Sequence, residues 1–149
     1  DIDEILLLKL EKEKIYFEPS ICYEAIFQTF NDEKIELLIN ITNDAWFGNF
    51  IGPKQHLTAS IFRSVEKGIP LIRSANSGIS VVTDENGKIL KKIGLNKSGI
   101  IEHDVYLGKT QTFFMKHKNI VLVYLILIIL IICILTDCLI KKRKDLKIF

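Results

Sequence analysis

From Ile120 to Leu135 the chain carries no charged side chain, and no other stretch restricts so sharply what it can fold into. As a helix at 1.5 Å per residue this run covers about 24 Å, short of a hydrocarbon core of roughly 30 Å. Extended from Asn119 through Cys138, Leu139 and Ile140 it reaches about twenty-two residues, enough to cross. Asp137, the one charge inside that stretch, then falls near the headgroups beside Lys141, Lys142, Arg143 and Lys144. A buried core helix is the alternative. Helices of a small domain usually keep a polar face, however, and this run has none. The reading is one carboxy-terminal transmembrane helix, and its place in the chain excludes a cleaved signal peptide.

Basic residues set the orientation. Lys141, Lys142, Arg143, Lys144 and Lys147 follow the span, whereas only Lys116 and Lys118 closely precede it. The excess puts the tail in the cytoplasm and the preceding domain outside. Phe113, Phe114 and Met115 suit an interfacial anchor. The expected organisation is thus a domain over 1–112, an anchor and span over 113–140, and a basic tail over 141–149. The formal net charge of +2 comes from the tail and flank; without them the domain is slightly acidic, which leaves no electrostatic case for nucleic acid. Cys133 and Cys138 belong to the apolar run, so Cys22 alone lies in the domain and no disulfide framework is available. No metal-ligand spacing appears, no cofactor is called for, and His56, His103 and His117 read as ordinary surface or loop residues.

Within the domain, Ile35–Thr42 is a nearly continuous apolar run ending at Asn43-Asp44, the pattern of a central strand buried on both faces. From Lys54 to Lys67, Leu57, Ile61, Phe62 and Val65 form one stripe of a helix, which Gly68 stops. A strand over Pro70–Ser74, a turn at Asn76-Ser77-Gly78 and a β-branched run over Ile79–Thr83 come next. Asp84-Glu85-Asn86-Gly87 is a hairpin turn into Lys88–Ile93, and Ile100–Leu107 reads as a last strand. Strand, helix, strand and meander make an α/β layered domain with a mixed sheet. The front end differs: Asp1–Lys14 is charged and leucine-rich, compatible with a helix or with a stretch from the middle of a larger domain. Only one strand is convincing before Cys22, around Ile15–Phe17 and Ile21, so the expectation is a truncated chain.

Ile21-Cys22-Tyr23-Glu24 lies where that strand gives way to a helix-like segment, Ala25–Phe30. A cysteine at a helix start gains from the partial positive charge there, and a sharp strand-to-helix turn presents its side chain to substrate. Glu24 is placed to orient a proton, an amine or a lysine. Taken alone, a lone cysteine in an apolar setting is more often a packing residue. Two further segments carry chemistry. Asn43-Asp44-Ala45-Trp46-Phe47-Gly48, with Gly52-Pro53-Lys54-Gln55-His56, puts the only tryptophan in a loop after a buried strand. Ligands bind at such strand ends in open α/β sheets, although Trp46 and Phe47 also fit local core packing. Arg73-Ser74-Ala75-Asn76-Ser77-Gly78 leads a short strand into a glycine-bearing turn, which either offers backbone N–H groups or merely reverses the chain.

These three segments, in this order and followed by an apolar run with a basic tail, resemble the end of the apolipoprotein N-acyltransferase family. That family is a branch of the nitrilase-like (carbon–nitrogen hydrolase) superfamily. The resemblance covers about Tyr16 to Lys144 and implies a partial nitrilase-like αββα sandwich with a Glu-Lys-Cys triad. It implies a site on the periplasmic side of the bacterial inner membrane. Cys22 would take an acyl chain from a membrane phospholipid as a thioester and pass it to the amino group of a diacylglyceryl-modified lipoprotein cysteine. By the same resemblance Glu24 supports the nucleophile, Tyr23 lies beside the acyl site, and Asn43, Trp46 and Phe47 contact substrate. The family's general-base glutamate and its lysine lie well upstream of the cysteine, and no residue before Cys22 matches their motifs. A separately encoded amino-terminal half is therefore an expected partner, and the chain alone is expected to be nearly inactive. Two other readings stand beside this one: a membrane-tethered amidase of the superfamily, and a non-catalytic remnant or lipid-binding module.

Overall fold

The computed structural model describes residues 6–10, 13–27, 34–108, 110, 112–118 and 120–145. They fall into two compact units, Asp1–Met115 and Lys116–Phe149.

The first unit is built on one six-stranded mixed sheet in sequential order: β1 (Leu6–Leu10), β2 (Glu13–Ile21), β3 (Leu37–Asn43), β4 (Leu71–Asn76), β5 (Ser80–Thr83) and β6 (Ile89–Ile93). β2, β3 and β4 run parallel, while β1, β5 and β6 are antiparallel to their neighbours. Two parallel neighbours need a crossover, and α1 (Gly52–Lys67) supplies it between β3 and β4. The α/β layered fold with a mixed sheet is as expected. Strand pairing brings Ile21, Ile41 and Ser74 level, and Asn43 beside Asn76, so the carboxyl ends of the three parallel strands align.

The pleat gives these strands two unlike faces. On one, Leu38 pairs with Leu71 and Asn40 with Arg73, and all four are buried. Leu38 and Leu71 join Ile35 and Ile69 in the apolar core, against which Ile61 of α1 packs. On the other face burial fades toward the strand ends. Phe17 and Leu37 are buried, whereas Ile21 and Ile41 are 65% and 61% exposed. β3 is therefore not buried on both faces, and of the four layers of an αββα sandwich the described residues supply one sheet and one helix packed on it.

α1 ends where Gly68 predicts. Gly68 takes φ +65° and its N–H donates to Ser64 O at 2.8 Å. The buried face of α1 is displaced from the expected stripe. Pro53, His56, Leu57, Ser60 and Ser64 point inward, while Phe62 and Val65 are exposed. The small and polar side chains on that face find hydrogen-bond partners: Ser60 accepts from the buried Arg73 guanidinium, His56 pairs with Asp44, and Ser64 donates to Ile69 O.

The hairpin at Asp84–Gly87 forms as read: Gly87 takes φ +77°, its N–H donates to Asp84 O at 3.1 Å, and β5 and β6 pair across it. Two expectations fail, and one open reading is decided. Of the two readings of the front end, the helix is absent from its described part, because β1 pairs antiparallel with β2, Leu6 opposite Phe17 and Leu10 opposite Glu13. Pairing overrides a helix-favouring composition. Ile100–Leu107 forms no strand; the chain beyond it is tied to the end of α1 instead, Thr110 N–H donating to Gly68 O and Thr112 Oγ1 to Glu66 O. The helix expected over Ala25–Phe30 is a short 3-10 turn, Cys22–Ile26, and residues 28–30 lie outside the described ones.

In the second unit α3 runs Ile120–Asp145, after the short α2 (Phe113–His117) that straddles the boundary. The helix begins with the uncharged run at Ile120 and continues past its end at Leu135. Among the described residues, however, no helix is long and apolar enough to cross a membrane. The expected transmembrane helix is not supported.

Candidate active site

β2 delivers Cys22 directly from its last residue into the 3-10 turn, and Cys22 adopts φ +51°. A non-glycine residue held in the left-handed region costs on the order of 1–3 kcal/mol, and such strain persists only where the surroundings impose it. Here two groups do so. From outside, Glu24 Oε2 accepts the Ile21 N–H at 2.7 Å. From inside, the Asn40 side-chain amide donates to Ser20 O and Ser20 Oγ, both at 3.0 Å, and to Cys22 O at 3.3 Å. The thiol that results is free and exposed. Cys22 is thus presented at a strained strand-to-turn elbow rather than packed in the core.

The other two segments meet it at the same edge. After β3, Asn43 Oδ1 accepts the Ala45 N–H at 3.2 Å and starts the 3-10 turn Ala45–Phe47. The same oxygen accepts from Asn76 Nδ2 at 3.1 Å, and Asp44 N–H donates to Asn76 O at 2.9 Å, so the loops after β3 and β4 are joined. Trp46 is 88% exposed, and Tyr23, Phe47 and Phe50 are exposed as well. Local core packing does not account for Trp46. Tyr23 stacks edge-on against Phe27, with ring centroids 5.4 Å apart. All six residues read as site residues, Cys22, Tyr23, Glu24, Asn43, Trp46 and Phe47, therefore lie on the strand-end loops of one sheet edge. The carboxylate of Glu24 and the amide of Asn43 are spent on fixing those loops.

Beneath the edge is a buried polar cluster. Arg73 Nη2 donates to Asp44 Oδ2 at 2.8 Å, Nη1 donates to Ser60 Oγ at 2.9 Å, and Nη1 also bonds Asn40 Oδ1. Asp44 Oδ1 accepts from Thr42 Oγ1 at 3.1 Å and lies 2.8 Å from His56 Nδ1. An ionised carboxylate only accepts, so His56 Nδ1 carries the proton in that pair. Its 3.1 Å approach to Arg73 Nη2 is then a contact between donors. His56 Nε2 and Arg73 Nε are buried and make no hydrogen bond among the described residues. Desolvation lowers the Arg73 pKa, against the opposing pull of Asp44 and, more weakly, of Cys22. Gly78 closes the cluster: a Cβ there would stand 2.3 Å from Asp44 Oδ2. His56 is therefore no surface residue, and Asn40, Asp44, Ser60 and Arg73 were missed in the sequence. The available signal was a charge, Arg73, inside an apolar strand, which demands a buried partner.

Residues 12–113 match the carbon-nitrogen hydrolase family. The apolipoprotein N-acyltransferase of Rickettsia bellii (strain RML369-C) is 40% identical over 126 residues, which is 80% of this chain and 25% of that protein. That of Rickettsia prowazekii (strain Madrid E) is 46% identical over 99 residues, 64% of this chain and 20% of that protein. The chain thus spans about a quarter or less of the length of these relatives. Among solved structures, a CN-hydrolase superfamily protein from Xanthomonas campestris gives a TM-score of 0.49 at 16% identity, covering 64% of this chain and 41% of that one.

Proposed function

The chain belongs to the carbon–nitrogen hydrolase family, and on that footing we propose that it is part of an apolipoprotein N-acyltransferase in which Cys22 is the acyl-carrying nucleophile. The observation that carries this is the exposed Cys22 at φ +51°, on the edge it shares with the joined loops after β3 and β4. The names of the relatives support the acyl-transfer reading over amide hydrolysis.

In the first step the Cys22 thiolate attacks the ester carbonyl of a membrane phospholipid. A C–S bond forms, the C–O bond breaks, and the lysophospholipid leaves as an alcohol with the proton that the base had taken from the Cys22 thiol. In the second step the α-amino group of a diacylglyceryl-modified lipoprotein cysteine attacks the thioester, a C–N bond forms, the C–S bond breaks to release the Cys22 thiolate, and the amine's proton goes to the base. The base and the lysine that the resemblance implies come from outside this chain in this proposal, from an amino-terminal half. Tyr23, Trp46 and Phe47 are exposed apolar surface on which an acyl chain is received.

Location belongs to the same proposal: the first unit lies on the periplasmic side of the bacterial inner membrane, with α3 as a lipid contact. Its support is the family resemblance for the location and the exposed apolar side chains of α3 for the lipid contact. Co-expression with an amino-terminal half bearing the family's glutamate and lysine tests the chemistry. A fatty-acyl adduct on Cys22 is expected by mass spectrometry, absent in Cys22→Ala. No adduct, or an equal one in that variant, rejects the role.

A further inference from the structure

We infer that Asn40, held in orientation by Arg73, is the positioning residue of the Cys22 elbow. The inference rests on the reading of Cys22 as nucleophile but is tested apart from it.

Asn40 is fully buried in β3 and faces the end of β2. Its amide nitrogen faces three acceptors: Ser20 O, Ser20 Oγ and Cys22 O. Two of these are main-chain carbonyls on either side of Ile21, so the amide braces the backbone into and out of the strained residue. Arg73 decides which way the amide points. The guanidinium has only donors, and Nη1 bonds Asn40 Oδ1. A flipped amide would set NH₂ against the guanidinium and its oxygen against two carbonyls. Arg73 is itself fixed by Asp44 and Ser60, and Asp44 opens the loop that carries Trp46. The elbow and the Trp46 loop are therefore set by one buried donor–acceptor chain with a single consistent polarity.

Asn40→Asp is the discriminating change. It keeps size and the bond to Arg73, and it replaces the donor under Cys22 with a carboxylate. In the full chain, iodoacetamide alkylation of Cys22, read by peptide mass spectrometry near neutral pH, is expected to slow about tenfold, and its pH midpoint to rise by about one unit, as a new like charge near a thiolate dictates. Alkylation of Cys133 and far-ultraviolet circular dichroism are expected to be unchanged. A folded variant whose Cys22 rate and midpoint match the parent overturns the inference. Where the variant does not fold, the unsubstituted chain decides. Its Asn40 side-chain amide protons are expected to exchange about a hundredfold slower than those of a solvated amide. Exchange at the solvated rate overturns the inference. An altered Cys22 midpoint with no acyl adduct in co-expressed material would sink the proposed function alone.

Discussion

At Arg73 the opposing effects are of unequal size. Loss of water lowers the pKa of the guanidinium, and the nearby Asp44 carboxylate only partly restores it. The sign follows from that: the charged form is the one burial disfavours, so its cost is fully present at neutral pH. It is relieved only as pH rises through the lowered pKa toward the ordinary arginine range. At neutral pH the fold therefore relies on Asp44 to compensate a buried cation. Asp44→Asn removes that compensation and is expected to lose about 3–5 kcal/mol, the usual consequence of leaving one member of a buried pair alone. Thermal or urea denaturation of the folded protein measures it, and a loss below about 1 kcal/mol, the scale of a surface pair, would contradict it. Little of this was legible in the sequence. Asp44 looked like a turn residue and His56 like a surface one, because their partner Arg73 lies 29 positions beyond Asp44. Only strand pairing brings Arg73 opposite Asn40.

Elements were legible where their signals are local. The body of β3, the end of α1 and the Asp84–Gly87 hairpin follow from apolar runs, a glycine stop and turn residues. β1 did not, because its strand state comes from its antiparallel pairing with β2. Ile100–Leu107 did not either, because a β-prone run forms a strand only where a ladder accepts it. The end of α1 shows how local and distant causes join. Gly68 needs the left-handed region, and its carbonyl holds Thr110 N–H at 2.9 Å. An added Cβ would sit 2.1 Å from Thr110 O, which is backbone and gives way only by moving the segment. Gly68→Ala is therefore expected to cost more than the roughly 1 kcal/mol of a strained φ alone, and to free the Thr110 amide to exchange. Hydrogen exchange reads the second effect, and an unchanged Thr110 protection would contradict the tie.

At the scale of the first unit, the two sheet faces are unequal in a way that composition does not reveal. One face is closed by α1 over a core and a buried ion pair. The other bares Ile21 and Ile41, paired with each other, at the strand ends that carry the site. The resemblance implied a second sheet layered on this one, and the described residues contain only the first. Apolar sheet surface left in water favours association, and β6, at one end of the strand order, offers an edge. The chain by itself is accordingly expected to self-associate and to melt at a lower temperature than the same chain co-expressed with an amino-terminal half of the family. If that half covers the bare face, Ile41→Lys should behave oppositely in the two settings. It should reduce self-association of the lone chain, because a charge breaks the apolar pair. It should weaken the complex by about 2 kcal/mol or more, because the same charge would be buried without a partner. Light scattering on the lone chain and the thermal midpoint of the complex give the two readings. A variant that leaves the complex as stable as the parent would mean that the second layer does not rest on Ile41.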